Sequence, residues 1–335
     1  MGQQILVDAL MKPEAYDEAV QKVELLQTHI SFIFLAGDYV YKVKKPVDFG
    51  FLDFTTLEKR KYFCERELEL NRRLTEDMYL EVVPISQLGD QIKIKGNGEI
   101  IEYAVKMRRI PEDTMMSGLF EQNQVDKDLI DKLAKIIVEF HANAETGEPI
   151  NKYGSLETVK FNWDENFDQT RSFIGRTITA PQFELIYQSI QTFMKENQSL
   201  FNIRIKKGQI RDCHGDLHSG NIFVADKIYI FDCIEFNERF RYSDVAADVA
   251  FLAMDLDFKN HRDLSTYFID RYVRYSQDND LLTLLPFYKC YRAYVRGKVI
   301  GFQLDDPNVG VVEKDQAANE AKRYFELAAE YANEL

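Results

Sequence analysis

The first 110 residues carry short runs of apolar, β-branched and aromatic side chains separated by turn residues, a pattern typical of β-strands. Two pairs of runs are predicted to form hairpins, because Gly37-Asp38 lies between the first two runs and Asn97-Gly98 between the last two. The four runs are residues 30–36, 39–45, 91–95 and 99–107. Residues 56–74 lie between the hairpins, begin with a threonine and are dense in Glu, Arg and Leu, so we expect a helix there.

After Pro111 the apolar residues repeat at the spacing of helices. The predicted helices are residues 126–144 and segments near 180–198, 243–258, 261–277, 280–303 and 313–334. An exception is the stretch 210–231, where two short β-prone runs flank a turn at Asp226-Lys227. The pattern therefore predicts an α+β protein with two lobes. Residues 1–110 would form a small N-lobe, an antiparallel β-sheet with one main helix, and residues 111–335 a large, mostly helical C-lobe.

Composition indicates an ordered cytoplasmic protein. The 335 residues are 45% hydrophobic and 29% charged, which is enough to bury a core. No apolar run approaches the roughly 20 residues of a membrane span, the N-terminus lacks the basic start of a signal peptide, and the four cysteines form no C-x-x-C pair. We therefore expect reduced thiols, a cytoplasmic location and no membrane partner.

Charge argues against nucleic acid as a partner. The net charge is −13, whereas duplex-binding proteins normally carry a basic face. Residues 111–335 hold 26 Lys and Arg against 37 Asp and Glu, so most of the negative charge lies there. This excess is explained either by solubility or by attraction of a cationic ligand.

The stretch His214-Gly215-Asp216-Leu217-His218-Ser219-Gly220-Asn221 carries the most specific chemistry in the chain. Phosphoryl transfer from ATP needs one carboxylate to accept the proton of the acceptor hydroxyl, and further oxygen ligands to hold Mg²⁺ against the phosphates. His-x-Asp followed five residues later by Asn is the spacing of a kinase catalytic loop. Asp216 is thus the predicted base, while Asn221 and Asp232, which ends the next β-prone run, are the predicted metal ligands.

This stretch resembles the signature of the aminoglycoside phosphotransferases, which share the protein-kinase-like fold; choline and homoserine kinases look similar. The resemblance implies a bilobal kinase-like enzyme that uses ATP and Mg²⁺ to phosphorylate a hydroxyl group of a small molecule. It also implies that His214 orients the loop backbone. Residues 244–250 are similar to the segment that follows the metal site in this family, which implies that Asp248 braces the loop from a helix.

Further motifs look like an uncharacterised bacterial subgroup of that family, among them Phe231-Asp232-Cys233-Ile234-Glu235-Phe236-Asn237. Members of the subgroup often carry a P-loop kinase domain after this one. No G-x-x-x-x-G-K-[ST] motif occurs in the 335 residues, so we expect that second domain to be absent. Glu235, three residues after Asp232, either approaches the metal or holds the loop.

The family also needs a strand lysine that holds the α- and β-phosphates and a helix glutamate that holds the lysine. Lys42 and Lys44 share one face of the predicted strand, and we favour Lys42 because Val40 stands two residues before it. Glu67 is our choice for the glutamate, with Glu65 as the alternative.

No G-x-G-x-x-G motif precedes Ile30, so the phosphate loop is predicted at residues 27–31, where Thr28 and Ser31 supply hydroxyl groups. Residues 107–111 are the predicted linker, in which backbone groups of Met107, Arg108 and Ile110 would bind adenine. Its two arginines fit a solvated hinge equally well.

Two rival functions share this machinery. A protein kinase is disfavoured because His-Gly-Asp replaces His-Arg-Asp and Asp232-Cys233-Ile234 replaces Asp-Phe-Gly. A pseudokinase that binds nucleotide without turnover would normally have lost one of four residues, and Lys42, Asp216, Asn221 and Asp232 are all present here.

Overall fold

The computed structural model describes residues 2–307 and 309–335. The chain folds into two compact units that are interleaved along the sequence. The first unit comprises the residues up to Gly118 together with Gly220–Glu238, and the second comprises Leu119–Ser219 and Arg239–Leu335. The lobes expected from the sequence, residues 1–110 and 111–335, meet at a single boundary, and that division stays a prediction.

An antiparallel sheet dominates the first unit. Within residues 2–118, six strands pair in the order β1-β2-β3-β6-β4-β5. The strands are β1 Val23–Gln27, β2 Ser31–Ala36, β3 Tyr39–Lys44, β4 Tyr79–Leu88, β5 Gln91–Ile94 and β6 Glu99–Arg108. Helix α1 (Gln3–Leu10) precedes them, and a separate hairpin of β8 (Ile222–Val224) and β9 (Ile228–Ile230) completes the unit.

The first predicted hairpin is confirmed, since β2 and β3 pair across Gly37-Asp38. The second is wrong: β5 pairs with β4 across Gly89-Asp90, and β6 pairs with β3 and β4 instead. The sequence pattern missed β4, because Pro84 interrupts its β-prone run and a register shift follows at Ile85/Ser86.

Helix α2 (Leu57–Thr75) begins at Thr56, whose hydroxyl accepts the Lys59 N–H at 3.2 Å. This helix buries polar residues among its apolar ones, and Glu67 is fully buried. Arg60 at its first turn pairs with Glu102 of β6 at 2.8 Å, which fixes the helix against the sheet. The helix therefore carries Glu67 toward the lysines of β3.

The second unit is mostly helical. Its main helices are α4 Lys127–Asn143, α5 Leu156–Thr170, α6 Ala180–Glu196, α7 Gln198–Lys206, α9 Val245–Phe258, α10 Arg262–Ser276, α11 Leu281–Gly301 and α12 Val311–Ala332. Two four-residue helices, α3 (Met116–Leu119) and α8 (Glu238–Arg241), lie where the chain passes between the units. Strands β7 (Ile210–Asp212) and β10 (Tyr242–Asp244) pair beside the catalytic-loop sequence.

The predicted helices of the second unit are all present, whereas α5 and α7 were not predicted. Helix α9 is its central element, because residues 245–257 are buried on every face of the helix. The α+β class, with an antiparallel sheet first and helices afterwards, is confirmed. Among the described residues, no helix combines the length and apolarity needed to cross a membrane.

Candidate active site

Five charged side chains of the first unit form a largely buried ion-pair network, which we call the lysine cluster; Asp232 is its partly exposed member. Lys42 Nζ lies 2.8 Å from Glu67 Oε1 and 2.6 Å from Asp232 Oδ1. Lys44 Nζ lies 2.6 Å from the other oxygen of Glu67, Oε2, and also pairs with Glu235. One carboxylate of α2 thus holds both lysines of β3.

The ion pairs of the lysine cluster bear on two choices that the sequence left open, Lys42 or Lys44 and Glu67 or Glu65. Both lysines reach Glu67, but Lys42 is the one that also contacts Asp232. Glu65 points elsewhere on α2, where it is exposed and lies 3.7 Å from Lys61. The geometry therefore favours Lys42 with Glu67 over the alternatives.

Burial and charge oppose each other within the cluster. Burial alone would raise the pKa of Glu67, but the charges of Lys42 and Lys44 outweigh it, and the pKa falls below its usual value. Burial would likewise lower the pKa of Lys42, yet the carboxylates of Asp232 and Glu67 raise it well above the usual range. Both groups are therefore charged at neutral pH.

The predicted metal ligands are neighbours in the first unit. Asn221 ends a short helical turn before β8, and its carbonyl accepts the N–H of Phe231 at 3.0 Å, one residue before Asp232. Asp232 adopts a left-handed backbone, with φ of 62°, and the next N–H, of Cys233, donates to Asn71 Oδ1 of α2 at 2.9 Å.

The side chain of Asp232 is 43% exposed, so one side of its carboxylate is accessible to a ligand. A carboxylate and an amide oxygen are hard oxygen donors of the kind that Mg²⁺ takes, with phosphate oxygens and water completing its shell. The residues present at Asn221 and Asp232 therefore fit a magnesium ion.

The catalytic-loop sequence in the second unit is held by its backbone. Asp248 of α9 accepts the N–H of His214 at 2.7 Å and the N–H of Gly215 at 2.9 Å. The carbonyl of Gly215 accepts from Arg292 Nη1 of α11 at 2.9 Å. Gly215 has a φ of 85°, a left-handed conformation that glycine adopts without strain. These contacts fix the chain on the N-terminal side of Asp216.

The carboxylate of Asp216 is partly accessible, with 33% of the side chain exposed. Its Oδ2 lies 3.4 Å from Nε2 of His218, whose ring packs against Phe251 at 5.4 Å between centroids. Burial alone would raise the pKa of Asp216, but the charges of His218 and Arg296 outweigh it and hold the pKa well below its usual value. Asp216 is therefore a carboxylate at neutral pH, the form that can accept a proton.

A second layer of residues supports Asp248, and sequence reasoning did not find it. His141 of α4 places Nε2 3.3 Å from Asp248 Oδ2 and Nδ1 2.8 Å from the hydroxyl of Tyr272. The possible ligand atoms of His141, Cys213 and Asp248 lie within 4.8 Å of one another. Since Asp248 already accepts two backbone N–H groups and His141 bonds Tyr272, this buried group acts as a brace for the loop.

The predicted phosphate loop is the turn between β1 and β2. The Thr28 hydroxyl accepts the N–H groups of Ile30 at 3.3 Å and Ser31 at 3.0 Å. Lys45 donates to the carbonyl of Thr28 at 2.7 Å. Ser31 is buried, and its hydroxyl has no hydrogen-bond partner among the described residues. The Thr28 hydroxyl is thus engaged in shaping the turn.

The predicted adenine linker borders an apolar cluster in the first unit. The buried members of that apolar cluster are Cys64, Met78, Tyr79, Val105, Met107, Ile110, Phe223 and Tyr229. The N–H of Arg108 donates to the carbonyl of Met78 at 2.8 Å, and the N–H of Arg109 donates to the carbonyl of Asp38 at 2.8 Å, so the backbone donors of both arginines are already bonded. The guanidinium of Arg108 lies 5.1 Å from the ring centroid of Tyr229 and 3.3 Å from Asp226, so this arginine is tied to the β8–β9 hairpin.

Comparison with known proteins places the chain in a family. Residues 62–284 match the sequence profile described as the phosphotransferase enzyme family. An uncharacterised protein of Mycobacterium tuberculosis and one of Mycobacterium bovis are each 33% identical over 310 residues, which is 92% of this chain and 59% of theirs. The chain thus spans about three fifths of the length of these curated relatives.

Solved structures show the same fold at low identity. A spectinomycin phosphotransferase in complex with ADP and spectinomycin superposes with a TM-score of 0.53 at 16% identity, covering 99% of this chain and 98% of that one. A GDP complex of an aminoglycoside 2'-phosphotransferase gives 0.58 at 13% identity, over 97% and 99%. A choline/ethanolamine kinase family protein from Mesorhizobium loti gives 0.54 at 12% identity, over 99% and 100%.

Proposed function

The chain belongs to the phosphotransferase enzyme family, and we propose that it transfers the γ-phosphate of ATP, with Mg²⁺, to a hydroxyl group of a small molecule. The observation that carries this proposal is the contact of Lys42 with both Glu67 and Asp232. A lysine held by a helix glutamate beside a metal-binding aspartate is the arrangement that phosphoryl transfer in kinases requires. A purely structural ion pair would not need the partly exposed carboxylate of Asp232.

In this proposal Lys42 binds the α- and β-phosphates, and Glu67 orients its ammonium group. Asn221 and Asp232 hold the Mg²⁺ that neutralises developing charge on the phosphates. Backbone groups of Met107, Arg108 and Ile110 bind the adenine, and the turn with Thr28 and Ser31 lies against the phosphates. The donor is thereby positioned for in-line transfer.

Asp216 is the group that we assign to the acceptor. Its carboxylate would accept the proton of the acceptor hydroxyl as the bond to phosphorus forms. His214 and Asp248 take no part in bond making; they hold the loop backbone so that Asp216 keeps its place. The ionised state of Asp216 supports this role.

The proposed acceptor is a small molecule, and the net charge of the C-terminal part of the chain bears on which small molecule it is. The excess of acidic residues in 111–335 suits a cationic acceptor. The solved relatives include enzymes named for aminoglycosides and for choline or ethanolamine, and such hydroxylated amines are the first compounds to screen.

The nucleotide half of the proposal is tested by thermal stability. MgATP should raise the melting temperature of the wild type, and ATP with EDTA should raise it much less, because phosphates complete the metal shell. Asp232→Asn should lose the metal-dependent part of the shift. Asp90→Asn, the same change on an exposed turn residue of the first unit, should keep it. Equal shifts with and without metal would contradict Asn221 and Asp232 as ligands.

The acceptor half is tested by ATP consumption in a screen of hydroxylated metabolites and aminoglycosides, with a protein mixture as a separate arm. Turnover with a small molecule supports the proposal. Phosphorylation of proteins alone would indicate a protein kinase. Binding of MgATP without consumption in any arm would indicate a nucleotide sensor.

A further inference from the structure

The lysine cluster contains one ion pair more than the proposed chemistry uses. Lys42, Glu67 and Asp232 account for binding of phosphates and metal, whereas Lys44 and Glu235 have no assigned role. Lys44 is buried, as is Glu235, and the two side chains pair directly. A buried ion pair is costly to desolvate, so it is a weak source of stability, and a role in positioning its neighbours is worth testing.

The first consequence concerns Glu67. Its two oxygens hold different lysines, Oε1 that of Lys42 and Oε2 that of Lys44. When phosphates draw the ammonium of Lys42 toward the nucleotide, Glu67 therefore keeps a charged partner at 2.6 Å and stays in place. A cluster with a single lysine would have to divide that lysine between the glutamate and the phosphates.

The second consequence concerns Asp232. Glu235 follows it by three residues, and its pairing with Lys44 ties this segment to the middle of the sheet. Between them, Cys233 is tied to α2 through Asn71 at 2.9 Å. Asp232 itself has a left-handed backbone, a conformation that persists only when its surroundings hold it.

We propose that Lys44 and Glu235 form a positioning pair, which keeps Glu67 and Asp232 in their binding positions while Lys42 engages the phosphates. This inference rests on the proposed function. Neither residue touches the nucleotide or the metal in this account. Two other readings of the pair are that it only stabilises the fold, or that Glu235 is itself a metal ligand.

Metal affinity separates the three readings. The probe is Mn²⁺, measured by electron paramagnetic resonance with a non-hydrolysable ATP analogue and the full chain. For a positioning pair, Glu235→Gln and Lys44→Met should each weaken Mn²⁺ binding by roughly 10–100-fold, the range for residues that orient metal ligands. If Glu235 were a ligand, Lys44→Met would free its carboxylate and leave Mn²⁺ binding unchanged or tighter, which would overturn the inference.

Thermal stability tests the remaining reading, in which the pair of Lys44 and Glu235 only stabilises the fold. The melting temperature without metal or nucleotide reports a structural role, and a fall in it with unchanged Mn²⁺ affinity would overturn the inference. The double variant Lys44→Met/Glu235→Gln removes both charges, so it avoids a lone buried charge if a single variant fails to fold. It should still bind Mn²⁺ at least tenfold more weakly.

The control is an exposed ion pair of the same unit, Lys95 with Glu81 at 2.7 Å. Lys95→Met/Glu81→Gln should leave both Mn²⁺ affinity and melting temperature unchanged, since exposed pairs contribute little. The wild type decides a separate question. If it binds no Mn²⁺ with the ATP analogue, the proposed function fails; if it binds and the Lys44 and Glu235 variants bind equally well, only the positioning pair fails.

Discussion

Replacing Asp248 by asparagine removes the charge that holds the backbone beside Asp216, and we expect it to lower both stability and turnover. The side chain is fully buried, and it accepts N–H groups of His214 at 2.7 Å and Gly215 at 2.9 Å. Asparagine keeps one oxygen acceptor, but its amide group turns a donor toward a second backbone donor. One hydrogen bond is therefore lost and the other loses its charge.

Two estimates of the loss in free energy of unfolding caused by Asp248→Asn agree. A hydrogen bond to a charged group contributes about 1.5–3 kcal/mol, so the loss should lower the free energy of unfolding by about 2–3 kcal/mol. Burial alone would raise the pKa of Asp248, but the hydrogen bond with His141 and nearby charges outweigh it and lower the pKa from 3.8 to about 2. That difference corresponds to roughly 2 kcal/mol.

The stability that Asp248 contributes depends on pH. A carboxylate whose pKa is depressed by folding contributes its full stability above its unfolded pKa, near 4, and loses it as the pH falls toward 2. The difference in free energy of unfolding between wild type and Asp248→Asn should thus be about 2 kcal/mol at pH 7 and shrink below pH 4.

Urea denaturation followed by the fluorescence of Trp163, the single tryptophan, reports on the second unit, where Asp248 lies. Asp168→Asn is the control, because that aspartate of α5 is exposed and pairs only with Arg171 among the described residues. A difference below about 0.5 kcal/mol at pH 7, within the range of neutral surface changes, would refute the reasoning. So would a difference that stays constant from pH 7 to pH 3.

Two further predictions concern the second unit. Gly215→Ala and Gly175→Ala replace glycines with φ of 85° and 84°, so each should lower the free energy of unfolding by about 1–2 kcal/mol. Only Gly215→Ala should also lower kcat, and equal activities of the two variants would contradict a role for the loop backbone. Burial lowers the pKa of Lys298 to about 8, so between pH 8 and 10.5 the unfolded chain binds more protons than the folded one. The free energy of unfolding of the wild type relative to Lys298→Met should therefore rise across that range. A difference that does not change with pH would contradict the lowered pKa.

Elements with a strong local pattern were predictable from the sequence. The apolar stripe of α4 and the turn Gly37-Asp38 depend on neighbouring residues alone, and the structure has both. The β5–β6 hairpin failed for the converse reason. Asn97-Gly98 is a good local turn signal, but β4 competes for both strands and its own pattern is broken by Pro84.

The candidate site shows the same division. The spacing of Asp216, Asn221 and Asp232 lies within one short stretch, so it could be read directly. The support for that stretch comes from distant parts of the chain. Glu235 pairs with a lysine 191 residues away, and His141 meets Asp248 across 107 residues. No periodicity encodes such contacts, because they depend on how the elements pack.

The kinetics of Asp216→Asn test the central claim most directly. Asparagine has nearly the same shape but cannot accept the proton, so the variant should keep its affinity for MgATP while kcat falls by roughly 10²–10⁴, the contribution of a positioned general base. The measurement is phosphate transfer to an acceptor found in the screen, with melting temperature recorded alongside. An Asp216→Asn enzyme that keeps most of the wild-type rate would contradict the assignment of Asp216 as the base, and with it the proposed mechanism.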